Sequence, residues 1–259
     1  MSMMGLTSAL IFIYFTGVWV VLSLLHKVKK SYVNISFVLL NILFFLALNV
    51  YYYKTRDNFS FMTFDNISPF TFTFMPAIFI LGKKTKNGFL SAIAFLSVGM
   101  FGAMLITPQH AYLFSFATKA GFDYLFDALC HLNCSLFGIY LVASGQIKLT
   151  YKNLVSSTIF MYSVITFGVI MNYLFHTSNF GMNPYGGFSI YMIDIFEEFW
   201  ATLLAYYVGV FLVLSIGFGF NYLANKLNGN EKAFHKVVKT KNVFLDEMEK
   251  KAKQVRGCV

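Results

Sequence analysis

The sequence predicts an all-α protein: a polytopic transmembrane bundle of about seven helices, followed by an amphipathic cytoplasmic helix at the carboxyl end. Hydrophobic residues make up 58% of the 259 positions and charged residues only 12%. A soluble domain carries about 25% charged residues, so this composition indicates that lipid is the solvent. Seven apolar stretches predict the number of helices, and a regular alternation of charge between the loops predicts their orientation.

Each apolar stretch is long enough to cross the hydrocarbon core, which takes about 20 residues in a helix. The first lacks the basic front and cleavage site of a signal peptide, so we expect a retained helix. The third contains Pro69 and Pro76 and several polar residues, so it should face protein or water rather than lipid. The seven predicted spans are 6–25, 33–53, 61–81, 89–107, 122–143, 154–175 and 199–224.

Loop charges predict the orientation. The loops 26–32, 82–88 and 144–153 contain eight lysines and no acid. The opposite loops and the adjoining helix ends hold all seven acids that precede the tail, with only three bases. Lysine and arginine favour the cytoplasmic side. We therefore predict a multi-pass protein of the cell membrane with an extracellular amino terminus and a cytoplasmic carboxyl terminus.

The chain divides into a seven-helix transmembrane domain, 1–224, and a basic tail, 225–259. The tail holds nine Lys or Arg and four acids, and its apolar residues fall near helical spacing from Phe234 to Met248. This pattern is typical of an amphipathic helix that lies on anionic lipid headgroups or docks on a protein partner. The alternative is a solvated tail that only sets topology. Nucleic-acid binding is not expected.

Polar residues in the fifth span indicate a candidate site. Asp123, Asp127 and His131 are four residues apart and share one helical face, which Cys134 continues. A carboxylate one turn away can orient an imidazole and raise its basicity. The alternative is a structural hydrogen bond between helices. The three cysteines have neither disulfide-framework nor zinc spacing, so no metal and no cofactor are expected.

Other polar groups fall in the same predicted outer half. Thr71 and Thr73 lie in the third span, two residues apart, so on a helix at most one faces a shared site. Asn172 and His176 share a face at the end of the sixth span, and Asn179 follows in an Asn-rich and Gly-rich loop. Their convergence predicts a polar cavity that opens outward or laterally. Gly99 and Ala103 form a small-residue pair that allows close packing of the fourth helix.

Several motifs resemble a known family. The run Ser-Pro-Phe-Thr-Phe-Thr at 68–73 is followed by Gly-Met-Phe-Gly-Ala at 99–103, Leu-Ile-Thr-Pro at 105–108 and Gly-Ile-Tyr-Leu at 138–141. With His131 and the stretch 172–180, their order and spacing resemble the YwaF-like bacterial membrane proteins, related to the transmembrane protein 164 family. The resemblance covers roughly residues 30–225.

The resemblance implies a multi-helix membrane fold and lipid acyl chemistry. In the eukaryotic relatives a Pro-x-His-x-Cys motif supplies a His and a Cys nucleophile, and these positions are Thr71 and Thr73 here. By this resemblance Thr73 takes the position of the nucleophile, and His131 matches the retained histidine of the family. In the catalytic hypothesis built on it, His131 acts as the base and Asp127, one turn away, orients the imidazole. Thr71 and the polar residues of the sixth span and its following loop would bind substrate, and Asn172 or Asn179 would donate to the oxyanion.

Three hypotheses for function follow. The first is an intramembrane acyltransferase or acyl hydrolase that acts on membrane lipids through Thr73 and His131. The second is a non-catalytic membrane subunit or scaffold of a larger complex, favoured by the changed motif and the long basic tail. The third is a small-solute transporter in which Asp127 and His131 relay protons. It ranks lower because the chain lacks paired broken helices in corresponding halves.

Overall fold

The computed structural model describes residues 3–56, 67–106, 122–175 and 199–234. Within these ranges the regular structure is entirely helical, which confirms the all-α class for them. Three short 3₁₀ helices accompany the α-helices: Leu25–Lys27, Met75–Phe79 and Glu231–Ala233. The α-helices are α1 (Met3–Ser23), α2 (Lys30–Arg56), α3 (Ile67–Phe74), α4 (Lys83–Ile106), α5 (Phe122–Ala143), α6 (Tyr151–Phe175) and α7 (Phe199–Leu227).

Each predicted apolar stretch overlaps one described α-helix, and the overlap is shortest for the third stretch, whose residues 61–66 lie outside the described part of the chain. There α3 has only eight residues and continues as the 3₁₀ helix Met75–Phe79. Pro76 lacks a backbone N–H and cannot donate to the carbonyl of Phe72, four residues earlier, so the α-helical ladder ends at this point. In contrast to α3, which is shorter than its predicted span, α4 is longer at its amino end. It begins six residues before the predicted span and includes lysines that the sequence analysis assigned to the preceding loop.

The helices α4 and α5 form the centre of the described bundle. The helices α1 and α2 pack against α5, and α6 and α7 pack against α4, while the short α3 lies between α2 and α5. The close approach of α7 to α4 depends on Gly217, where an added Cβ would lie 1.8 Å from the carbonyl oxygen of Phe95. Gly99 of α4 also meets α7 closely, because its Cβ would lie 2.3 Å from Cγ1 of Val213.

Apolar side chains cover the outside of the described bundle, and amides lie inside it. Leu43 of α2, Phe167 of α6 and Leu204 of α7 are 61%, 63% and 65% exposed, whereas Asn221 is fully buried. This distribution is the reverse of that expected in water. Three helices are long and apolar enough to cross a membrane: Lys30–Val50, Tyr151–Phe175 and Leu203–Leu227.

After α7 the chain folds back on the bundle. Gly229 has a φ of 60°, a left-handed conformation that commonly ends a helix. The segment 228–234, here called the tail root, then packs on the loop between α5 and α6. The backbone N–H of Leu149 donates to the carbonyl of Ala233 at 2.9 Å. Most of the predicted amphipathic tail helix, 235–259, lies outside the described residues.

Candidate functional site

The break in α3 defines the candidate site. Because Pro76 cannot donate to it, the carbonyl oxygen of Phe72 needs another partner in a buried setting. The side chain of Asn41 on α2 supplies it: Nδ2 of Asn41 donates to the oxygen of Phe72 at 2.8 Å. Asn41 and Phe72 are both almost completely buried. The hydrogen bond therefore holds the proline break against the neighbouring helix.

The same amide also meets α5. The thiol of Cys134 lies with Sγ 3.8 Å from Oδ1 of Asn41, within the distance of a sulfur hydrogen bond. One residue earlier, Nδ2 of Asn133 donates to the carbonyl oxygen of Phe37 on α2 at 2.9 Å. Two neighbouring α5 residues thus bind to α2 through polar contacts. The three helices α2, α3 and α5 are joined at one level of the bundle.

His131 packs against an aromatic ring at this junction. Its imidazole lies edge-on to Phe72, with ring centroids 5.0 Å apart and an interplanar angle of 87°. His131 is 8% exposed and Phe72 1% exposed. An imidazole in this position has lost most of its water contacts and has an apolar neighbour on one side.

The two threonines of α3 have different environments. Thr71 is buried and Thr73 is partly exposed as a residue, in line with the rotation of about 200° that separates positions i and i+2. The Oγ1 atom of Thr73 is nevertheless enclosed, and no atom of the described structure forms a hydrogen bond with it. An enclosed hydroxyl without a partner costs about 1–3 kcal/mol.

The predicted site residues are spread over several helices. Thr71 and Thr73 flank Phe72 on α3, and it is Phe72 that contacts His131 of α5, while Asp127 occupies the turn of α5 before His131 with only its backbone described. Asn172 is buried on α6, and the main packing partners of α6 are α4 and α7. His176 and Asn179 lie outside the described residues.

Sequence reasoning missed the asparagines that tie the helices together. Asn41 and Asn133 bind neighbouring backbones as described above, and Nδ2 of Asn221 on α7 donates to the carbonyl of Ala94 on α4 at 3.2 Å. A signal was available, because an amide inside an apolar stretch is costly and normally faces another helix. The spacing of polar residues within one apolar stretch does not reveal which carbonyl an asparagine binds, because these hydrogen bonds join residues up to 127 positions apart.

Among the described residues, no group of three or more His, Cys, Asp or Glu side chains is placed to hold a metal ion. Comparisons with protein-family models, with curated proteins and with solved structures find no match for this chain. The described structure therefore defines a class of protein: an all-helical protein with three helices that are long and apolar enough to cross a membrane. Its distinguishing feature is that buried asparagine amides on one helix donate to the backbone of a neighbouring helix.

Proposed function

We propose that this protein is a multi-pass membrane protein with seven spanning helices, an extracellular amino terminus and a cytoplasmic carboxyl terminus. Three helices that meet the length and hydropathy of a span support the proposal, together with shorter apolar helices at Ile11–Lys27, Phe70–Phe79 and Ala128–Ala143. The apolar exterior and the amide-lined interior also support it, because lipid imposes no penalty on exposed leucine and phenylalanine.

Cysteine labelling in intact cells tests the orientation. A membrane-impermeant maleimide should label Asn58→Cys and Asn183→Cys in intact cells, and Lys29→Cys and Lys84→Cys only after lysis. Cys258→Ser provides the background, because Cys130 and Cys134 are fully buried. Labelling of Lys29→Cys in intact cells would reverse the orientation. Labelling of all four positions in cytosolic extracts would refute membrane insertion.

We infer further that the bundle acts as a non-catalytic membrane subunit that binds a partner. The observation that carries this inference is the state of the Thr73 hydroxyl, which has no hydrogen-bond partner among the described residues, whereas a threonine nucleophile works with an adjacent base. In this view the buried polar residues serve to join helices.

The basic tail is the proposed contact for the partner. Because the tail root is folded onto the bundle, a truncation after Phe234 removes residues 235–259 and should leave that packing in place. We expect a partner to co-purify with the full chain in mild detergent and to be lost after this truncation. On the full chain, Lys236→Gln, Lys239→Gln and Lys241→Gln together should weaken the complex, whereas Lys83→Gln, Lys84→Gln and Lys86→Gln should not. A monodisperse protein without a partner would contradict the proposal.

One observation favours a second candidate, intramembrane acyl transfer or hydrolysis. The enclosed Thr73 hydroxyl has an unmet hydrogen-bonding capacity, and it is adjacent in the chain to Phe72, which contacts His131. In this mechanism Oγ1 of Thr73 attacks an acyl carbonyl carbon, and the imidazole of His131, oriented by Asp127, takes the hydroxyl proton. The leaving alcohol receives the proton from the imidazole, and a water molecule or an acceptor alcohol, deprotonated by His131, then attacks the acyl-threonine carbonyl, so that the acyl group leaves and the Thr73 hydroxyl is restored.

Lipid turnover by the purified protein decides between the two candidates. The enzyme hypothesis expects turnover that Thr73→Val and His131→Asn abolish and that Thr73→Ser largely retains. The subunit hypothesis expects no turnover above that of a mock preparation. Turnover that survives both Thr73→Val and His131→Asn would rule out these residues as the catalytic pair.

A further inference from the structure

The tail root holds the ends of two helices together. Nδ2 of Asn230 donates to the carbonyl oxygen of Ala143, the last residue of α5, and to Oδ1 of Asn225 in the last turns of α7, both at 2.8 Å. Asn225 is fully buried. The main packing partners of α5 are α1, α2 and α4. The amide of Asn230 therefore supplies a link between α5 and α7 that these helices otherwise make mainly through α4.

The loop between α5 and α6 is shaped to receive the tail root. Besides the hydrogen bond from Leu149 to Ala233, the ammonium group of Lys148 donates to the carbonyl oxygen of Lys232. Gly145 has a φ of 71°, and a Cβ there would lie 2.6 Å from that same carbonyl oxygen. Ala233 is fully buried. The tail root is thus docked in a defined place by backbone and side-chain contacts.

Hydrogen bonds continue from the tail root into the centre of the bundle. Nδ2 of Asn225 donates to the carbonyl oxygen of Asn221 at 2.8 Å. Nδ2 of Asn221 in turn donates to the carbonyl oxygen of Ala94 on α4 at 3.2 Å and lies 3.4 Å from Oγ of Ser97. Asn221 and Asn225 are both fully buried. Asn221, Asn225 and Asn230, here called the asparagine series, therefore connect the tail root to α4 without a break.

The innermost asparagine has an unmet acceptor. Oδ1 of Asn221 is enclosed and has no hydrogen-bond partner among the described residues, so it has lost water and gained no donor in return. Asn221 lies six residues before the end of α7, or about 9 Å at 1.5 Å per residue. A small outward shift of this helix end would bring water to the acceptor. The docked tail root and the unmet acceptor therefore act in opposite directions on the same helix end.

We propose that the tail root is a releasable strap that couples residues 235–259 to the packing of α7 on α4. Docked, it fixes Asn225 and, through it, Asn221. Released, it lets the last turns of α7 move away from α5, and water donates to Oδ1 of Asn221. Because the tail continues directly from the strap, a partner that binds the tail shifts the balance between the two states when its affinity for them differs. The coupling itself is a property of this chain alone.

Hydrogen–deuterium exchange of the full-length protein in detergent, measured by mass spectrometry, tests the coupling. Asn230→Ser keeps an oxygen that can cap the following 3₁₀ turn but is too short to reach both of its other partners. We expect amide exchange about tenfold faster in residues 217–227, with a smaller rise, about threefold, in residues 91–97. The matched control, Asn34→Ser, removes the paired amide contacts with Gln146 of the same loop and should leave both segments unchanged.

A break in the middle of the asparagine series separates transmission from general loss of stability. Asn225→Leu removes the link to Asn221, while Asn230 keeps its hydrogen bond with Ala143. In this background Asn230→Ser should still accelerate exchange at the end of α7 but should no longer change exchange in residues 91–97. An effect on residues 91–97 that persisted there would show that the asparagine series does not carry the coupling.

Two further outcomes would overturn the proposal. Exchange in residues 91–97 that Asn230→Ser leaves unchanged in the otherwise unmodified protein would show that the strap is not coupled to α4. An equal acceleration in Asn34→Ser would show that any lost contact of the loop loosens the bundle. All of these measurements use the protein without a partner. Co-purification after truncation tests the partner separately, so a failure of that proposal is distinguishable from a failure of the strap.

Discussion

The side-chain amide of Asn41 donates to the carbonyl oxygen of Phe72 at 2.8 Å, the carbonyl that Pro76 leaves without a backbone donor. One residue on α2 thereby compensates for a proline in α3, 31 positions away. Because both groups are buried, neither can turn to water for a replacement. This pair therefore makes a specific prediction about stability.

We expect Asn41→Leu to lower the free energy of unfolding by about 1–2 kcal/mol, since it leaves the Phe72 carbonyl unpaired in an apolar setting. Pro76→Ala restores a backbone N–H at the position that would normally bind this carbonyl. In the Pro76→Ala background, Asn41→Leu should therefore cost less. Thermal unfolding in detergent of the two single variants and the double variant measures the difference, and equal costs in both backgrounds would contradict the explanation.

Gly217 should not tolerate a side chain. A Cβ there would lie 1.8 Å from the carbonyl oxygen of Phe95, so Gly217→Ala should force α7 away from α4 and destabilise the protein by at least about 2 kcal/mol. Gly209 and Gly219 lie on the same helix with no heavy atom within 4 Å of their added Cβ. Alanine at either position should be neutral or slightly stabilising, because it reduces the entropy of the unfolded chain. Melting temperatures of the three variants test the contrast.

The enclosed hydroxyl of Thr73 should be dispensable for folding. Thr73→Val replaces a hydroxyl that has no hydrogen-bond partner in the described structure with a methyl group of similar shape. We expect the free energy of unfolding to stay the same or to rise by up to about 1 kcal/mol. Thr73→Ser, which keeps the hydroxyl and removes a methyl, is the control and should be destabilising. A clear loss of stability in Thr73→Val would reveal a partner for this hydroxyl.

Docking of the tail root should weaken in acid. Burial, followed by the charges of Lys232 and Lys27, lowers the pKa of His26, so the docked state disfavours the protonated imidazole. Its contribution is complete above about pH 6.5 and is lost as the pH falls toward the lowered pKa. Protease cleavage within the tail root should increase between pH 7.5 and pH 5.5. A flat profile in the unmodified protein would contradict this, and His26→Gln should remove the dependence.

Much of the secondary structure could be predicted because it depends on local properties of the chain. A span needs about 20 consecutive apolar residues, and each predicted stretch overlaps a described helix, with residues 61–66 of the third stretch outside the described part of the chain. The interruption of the third stretch was likewise predictable from Pro76, since the missing N–H is a property of that residue alone. Gly99 was identified as a point of close packing, and the structure confirms its contact with Val213.

The candidate site could be predicted only in part. The alternation along α3 indicated that Thr71 and Thr73 face different directions, but the contact of His131 with Phe72 joins two separate helices. The asparagines Asn41 and Asn133 were missed because the carbonyls they bind belong to other helices. The fold of the tail root was missed because residues 230–234, Asn-Glu-Lys-Ala-Phe, are too short and too mixed to show a periodicity, and their partners lie about 85 positions earlier.

The sequence by itself determined the helical class and the positions of the helices, because apolar length and proline chemistry act within a few turns of the chain. Tertiary structure alone decided that Asn41 binds the Phe72 carbonyl, that the Thr73 hydroxyl has no partner among the described residues, and that Lys232 returns to the α5–α6 loop. Each of these outcomes depends on how helices pack against one another. A hydrogen bond between residues 31 or 84 positions apart is set by that packing and not by local sequence.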